Sequence, residues 1–308
     1  MALMNVLEGT AALLFVLLAA PLFAGLVNKQ KAWLTGRVGA PIWQPYFELW
    51  RIFRKETINA KSASFISSIS PVINLAAVVV AAAMLPVCNA HPLISFKGDI
   101  IFFAYILGTA RFFQILAAMD IGSSFEGMGA SREASFAVFV EPIFFFTLGS
   151  IAFITGFTSL NDIYHSIALD KTSYIIFIVV CSISFFILAV TECSRMPVDD
   201  PNTHLELTMI HEVMILDNSG QDLFLYQYSG YIKLLTYIIL ETAFYNPLGA
   251  DLTAAGIAIF VLNILFVSAV LAVVETITSR YKLKDIPHYL LFAAAIGILN
   301  LLIFTFNK

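Results

Sequence analysis

The sequence predicts an all-α polytopic membrane protein of about eight transmembrane helices, with an added amphipathic helix lying in the cytoplasmic interface. Three observations carry that expectation. Of 308 residues, 59% are hydrophobic and only 12% charged, against about 25% charged in soluble domains. The mean hydropathy is +0.87. Eight apolar segments, at 7–27, 67–87, 100–120, 135–157, 174–194, 227–246, 253–275 and 287–306, come near the roughly 20 residues that hydrocarbon requires. They read as a single membrane domain over 1–308.

The first segment lacks the basic flank of a signal peptide, and its apolar run is too long for one, so it is expected to stay as a membrane helix. Orientation follows from the loops. Those at 28–66, 121–134, 195–226 and 276–286 hold twelve Lys and Arg, against three in the other loops and the termini. The twelve mark the cytoplasmic side and put both termini outside. Within loop 28–66, Trp43, Tyr46, Phe47, Trp50 and Phe53 recur at steps of three and four, with Glu48, Arg51, Arg54 and Lys55 beside them. That periodicity suits a helix in the membrane interface, either as an anchor or as a docking surface. No internal repeat is visible, which weighs against a carrier built from inverted repeats.

Ionisable residues inside the helices are costly and therefore informative. Glu141 lies in the fourth segment ahead of Pro142. A proline frees a carbonyl one turn back, opening a polar notch beside a carboxyl that could carry a proton at neutral pH. Glu192 and Arg195, three apart, could pair on one helix face. Lys233 and Glu241 stand eight apart, about 12 Å along the axis, and need water or a third residue between them. Arg111 and Asp120 fall on opposite faces of the third segment, so each requires a partner elsewhere. The fifth segment runs into an acid-rich stretch, 191–220, carrying Glu192, Asp199, Asp200, Glu206, Glu212 and Asp217 with His204 and His211. A helical run over 205–216 would return Glu206 and Asp217 to one side of a cavity.

Several chemistries lack their residues. Cys88, Cys181 and Cys193 are far apart and cannot hold an iron–sulfur cluster, and His211-Glu212 lacks the second histidine of a zinc helix. No cofactor is expected on this chain. Glycine-rich phosphate loops and GxSxG nucleophile elbows are missing as well.

At this point the sequence resembles a known family. Three motifs carry the likeness: Glu192-x-x-Arg195-x-Pro197-x-Asp199-x-Pro201, then Gly129-Ala130-Ser131-Arg132 with Glu141 nine residues later, and Gln44-Pro45 leading to Arg54-Lys55-Glu56. They resemble the membrane subunit shared by respiratory complex I and the membrane-bound [NiFe] hydrogenases. His204–Glu212, Met119-Asp120 and Gly127–Glu133 look like the energy-converting hydrogenase branch, including formate hydrogenlyase. Two departures stand out: Asp217-Asn218 where the family more usually has Glu-Tyr, and Glu126 where a small or neutral residue is expected.

The resemblance implies a prokaryotic inner-membrane subunit without catalysis of its own. Its implied partners are hydrogenase large and small subunits, an iron–sulfur protein and an antiporter-like membrane subunit, with no nucleic acid. [4Fe–4S] clusters and a NiFe centre would belong to those partners. Glu141, Glu192, Asp199, Glu206, Glu212, Asp217, Lys233 and Glu241 are then expected to pass or gate protons. Arg195, Arg132, Asp120 and Arg111 would hold the charges, and Trp43, Gln44, Trp50, Arg54 and Lys55 would dock a partner. The alternatives are the quinone-site subunit of NADH:quinone oxidoreductase, a stand-alone carrier and a purely structural anchor.

Overall fold

A computed structural model describes residues 2–58, 60–88, 90–169, 175–200, 209–245 and 254–306. Ten α-helices occur among them: α1 (Ala2–Leu34), α2 (Gln44–Phe53), α3 (Phe65–Ala83), α4 (Asp99–Ile121), α5 (Ser124–Thr155), α6 (Leu160–Leu169), α7 (Ile175–Glu192), α8 (Gly220–Tyr245), α9 (Ala254–Ile277) and α10 (Ile286–Phe306). Eight are long, one at each predicted segment, and α2 is the interfacial helix. Six of the eight (α1, α3, α4, α5, α9 and α10) are apolar and long enough over their described length to cross a bilayer. Of the other two, α8 carries Asp222, Lys233 and Glu241, and α7 has only 18 described residues. The chain is a multi-pass membrane protein.

Apolar side chains facing inward from all eight long helices form one core, in which Val16, Phe103, Ile143, Phe185, Leu235 and Ile264 are fully buried. In it α8 packs against α1, α2, α3, α7 and α9, while α5 packs against α4, α7 and α10. Central placement puts the polar residues of α8 among other helices rather than lipid, which is where membrane physics tolerates them. Pro21 in α1 leaves the Leu17 carbonyl without its helical donor. The Tyr228 hydroxyl on α8 donates to that carbonyl at 3.0 Å.

Several boundaries differ from the sequence reading: α1 extends beyond 7–27 at both ends, α8 starts at Gly220 rather than 227, and two further differences bear on the site. Much of loop 121–134 is helix, because α5 begins at Ser124 and runs 32 residues, about 48 Å. That exceeds the ~30 Å hydrocarbon layer of an untilted crossing, and Glu126, Arg132 and Glu133 all lie in the first turns of α5. The expected helical run over 205–216 is a single 3-10 turn, Glu212–Ile215, within its described part. Residues 201–208, with His204 and Glu206, lie outside the described residues. The helix α6 was not anticipated. The buried Asp99 carboxylate caps it, accepting from Leu160 N at 2.7 Å and the Ser159 hydroxyl at 3.1 Å, two donors at a helix start, where backbone N–H groups lack intrahelical partners.

Candidate coupling site

Four helices deliver one charge each to a common point. Glu192, the last residue of α7, forms ion pairs with Arg111 of α4 and, at 2.7 Å, with the Lys233 ammonium of α8. Arg111 also lies 3.2 Å from the Glu133 carboxylate of α5. Arg111 and Glu192 are buried and Lys233 is half-buried, so each charge depends on the others for compensation.

A second group lies beside it. The Glu192–Arg195 pair that the spacing allows does not form. The helix stops at Glu192, and Ser194 takes a left-handed backbone (φ 51°). The turn swings Arg195 toward α9, where it meets Glu275 at 3.5 Å, and the same carboxylate holds Lys31 of α1 at 2.6 Å. Asp199 pairs with Arg280 at 2.8 Å and accepts from the backbone N–H of Ile210 at 3.2 Å and of His211 at 3.0 Å.

Between these groups is a cavity of about 290 Å³, lined by Glu48, Glu192, Arg195, Asp199, His211, Glu212, Tyr226, Tyr231 and Lys233 among others. Its volume accommodates several waters or a small headgroup. Packing around His211 lowers its pKa from the usual 6.5, because burial disfavours the imidazolium; Glu133 opposes that shift.

The segment 209–219 closes one side of the cavity as a strap. Arg132 of α5 donates to the Met209 carbonyl at 2.8 Å, and Asp217 N–H donates to the buried Glu126 carboxylate at 3.0 Å. The far end is tied to the first loop, where Ile58 N–H donates to the Ser219 hydroxyl at 2.8 Å. Gly129 allows the close approach. A Cβ there would collide with Val213 and lie 3.0 Å from the Ile210 carbonyl oxygen.

Of the expected site residues, Glu192, Asp199, Glu212 and Lys233 converge on the cavity, with Arg195 and Arg111 as their counter-charges. Glu241 lies two turns further along α8, buried, accepting from the Ser182 hydroxyl at 2.6 Å. Glu141 departs from its expected burial and is exposed on the outer face of α5. A cavity of about 30 Å³, lined also by Arg111, Glu192, Tyr105 and Tyr237, separates it from the charge cluster. Asp120 is remote from this cluster. Its carboxylate accepts from Ser64 N–H at 2.8 Å and from Ser67, closing the start of α3. Asp217 is exposed beyond its backbone tie.

Glu133, Lys31 and Arg280 were missed, Glu275 was given no site role, and Glu126 was noted only as a departure from the family pattern. Glu133 follows Arg132 directly in the chain and could have been flagged there. Lys31 and Arg280 read only as positive loop charges, and no spacing in one chain identifies their partners. Among the described residues, no three His, Cys, Asp or Glu side chains come together as a metal site.

The family model described as NADH dehydrogenase matches residues 8–305. Hydrogenase-4 component C of Escherichia coli (strain K12) is 26% identical over 292 residues, covering 92% of this chain and 90% of that protein. Formate hydrogenlyase subunit 4 of the same organism is 25% identical over 294 residues, covering 92% and 94%. The H subunit of the NADH-quinone oxidoreductase of Geobacillus sp. (strain WCH70) is 26% identical over 244 residues, covering 75% and 71%. Among solved structures, a chain of the membrane-bound sulfane sulfur reductase, an archaeal respiratory membrane complex, superposes with a TM-score of 0.81 at 17% identity, covering 97% and 99%. At that identity the likeness establishes the fold.

Proposed function

The chain belongs to the NADH dehydrogenase family, and we propose that it is the integral membrane subunit of a [NiFe] hydrogenase complex of the formate hydrogenlyase type. In this reading it anchors the peripheral arm and couples electron transfer there to movement of protons or sodium ions. The observation that carries it is the charge cluster Glu133–Arg111–Glu192–Lys233, open to the 290 Å³ cavity on one side and near Glu141 on the other. A simple anchor has no need of four charges brought from four helices, since each costs several kcal/mol unless compensated. Coverage of the hydrogenase relatives nearly end to end, against about three-quarters for the NADH-quinone oxidoreductase relative, favours that branch.

The cytoplasmic ends of the helices, the strap and the first turns of α5 would face the arm. Electron arrival at an iron–sulfur cluster of that arm would alter the field on the cavity and shift the strap. Glu192, Asp199, Glu206, Glu212 and Asp217 on the cavity side, with Lys233, Glu241 and Glu141 in the membrane, would then relay or gate the ion toward an antiporter-like subunit. Arg111, Arg132 and Arg195 hold these groups and the strap in place, while Asp120 fixes the start of α3. Both termini lie outside a prokaryotic inner membrane on this reading.

The test is to tag the chain, extract it from native membranes in mild detergent and identify what accompanies it. Nickel, iron and hydrogen-evolving activity are expected. Flavin with NADH:quinone activity would instead assign the 290 Å³ cavity, with Tyr226 and Tyr231 in its wall, to a quinone headgroup. A chain recovered alone would sink both readings.

A further inference from the structure

The helix α2 has three sectors, and two of them are unused by the site above. Pro45, Leu49 and Ile52 are buried against α1 and α8. Trp43, Phe47 and Trp50 form an outward stripe, exposed at 59%, 65% and 62%, which Arg54 continues with its guanidinium 5.6 Å from the centre of the Trp50 ring. The adjoining stripe carries Gln44, Arg51 and Lys55. Among the described residues Arg51, Arg54 and Lys55 make no ion pair, and all three are exposed.

The depth of α2 decides what covers these stripes. The turn ahead of it seats on Gly25 of α1, where any Cβ would collide with the Ile42 carbonyl, and the Tyr46 hydroxyl donates to the Leu18 carbonyl. Gly25 and Leu18 belong to the apolar stretch of α1, so α2 lies sunk beside that stretch rather than above it. A water-soluble partner cannot reach an aromatic stripe at that depth, whereas acyl chains can. The cations next to it then sit at the level of lipid phosphates. Local charge agrees: loop 28–66 holds seven Lys and Arg. Of the carboxylates by the stripe, Glu48 is turned to the cavity and holds Gln44 at 3.0 Å, leaving Glu56 exposed.

We propose that α2 is a binding surface for anionic phospholipid, with Trp43, Phe47 and Trp50 among the acyl chains and Arg51, Arg54 and Lys55 on the headgroup phosphates. The bound lipid would thereby cover the outer side of the helix whose Glu48 lines the cavity. Each cation near an anionic headgroup is worth about fivefold in local lipid concentration.

The chain supplies its own reporter, because its three tryptophans, Trp33 at the end of α1, Trp43 just before α2 and Trp50 within it, are all exposed. The purified full chain is reconstituted in phosphatidylcholine vesicles containing about a tenth of brominated lipid, either phosphatidylglycerol or phosphatidylcholine, and tryptophan quenching is compared. Brominated phosphatidylglycerol is expected to quench severalfold more per molecule. The triple variant R51Q/R54Q/K55Q should bring the two lipids to parity, while K282Q/K284Q, in the other basic loop, should keep the preference. If the triple variant fails to insert, R51Q and K55Q singly carry the test, each lowering the preference while leaving part of it. Equal quenching by both lipids in the unaltered chain, absence of quenching by either, or a preference that survives R51Q/R54Q/K55Q would overturn the assignment.

Discussion

Replacing Glu192 by glutamine leaves the Lys233 ammonium and the Arg111 guanidinium with one carboxylate fewer between them. At 2.7 Å and an effective dielectric constant of about 20, the Lys233–Glu192 attraction is about 6 kcal/mol. Most of that is offset by taking both groups out of water, so the pair adds little net stability. Cutting one partner is a different matter, because the other charge stays buried without compensation; the cost is about 3–5 kcal/mol. A chain of this size loses roughly 2 °C of Tm per kcal/mol, so Glu192→Gln should melt about 6–10 °C lower in detergent. Lys233→Gln should be less severe, since Arg111 still faces Glu192. The decisive variant is the double, Glu192→Gln with Lys233→Gln. With both charges gone, its Tm should lie well above the value expected from adding the two single losses, by an amount equivalent to at least ~1 kcal/mol. Single effects that simply add, to within about 0.5 kcal/mol, would refute the reasoning that these residues compensate each other.

Three further outcomes follow from the same geometry. Glu141→Gln should leave hydrogen turnover with artificial dyes intact while lowering ion movement in sealed vesicles; unchanged coupling would remove Glu141 from the path. Gly129→Ala forces a methyl into Val213 and the strap backbone, at a cost of about 1–3 kcal/mol, and faster hydrogen exchange over 209–217 is the expected sign. His211 is depressed below 6.5 in the fold, so the unfolded chain takes up its proton first as the pH falls. Its contribution is complete above pH 6.5 and is lost as pH drops from there toward the folded value. The fall in Tm between pH 7 and 5 should be shallower in His211→Gln.

Much of the fold was legible because lipid is a demanding solvent. Every spanning helix must be long and apolar, and this alone places α1, α3, α4, α5, α7, α8, α9 and α10 to within a few residues in most cases. Helical periodicity likewise locates α2, since a helix on an interface must sort its aromatic residues from its charged ones. The short helix α6 left no such mark. It is held by Asp99 from another helix, and sequence spacing does not register a cap supplied across a distance of 61 residues.

The candidate site divides along the same line. That Glu192, Asp199, Lys233 and Arg111 would need partners was clear from the cost of a charge in hydrocarbon. Which partner each takes was settled by the packing of α4 and α5 against α7 and α8, and by the loop after α9 that brings Arg280 to Asp199. The Glu192–Arg195 spacing suggested a local pair, but the helix ends between them and a left-handed turn at Ser194 sends the arginine to Glu275 instead. Composition and hydrophobic period depend on each segment alone, so the sequence by itself determined that this chain crosses the membrane many times and carries charge into it. Ion pairing depends on which segments become neighbours, and only the tertiary structure decided that.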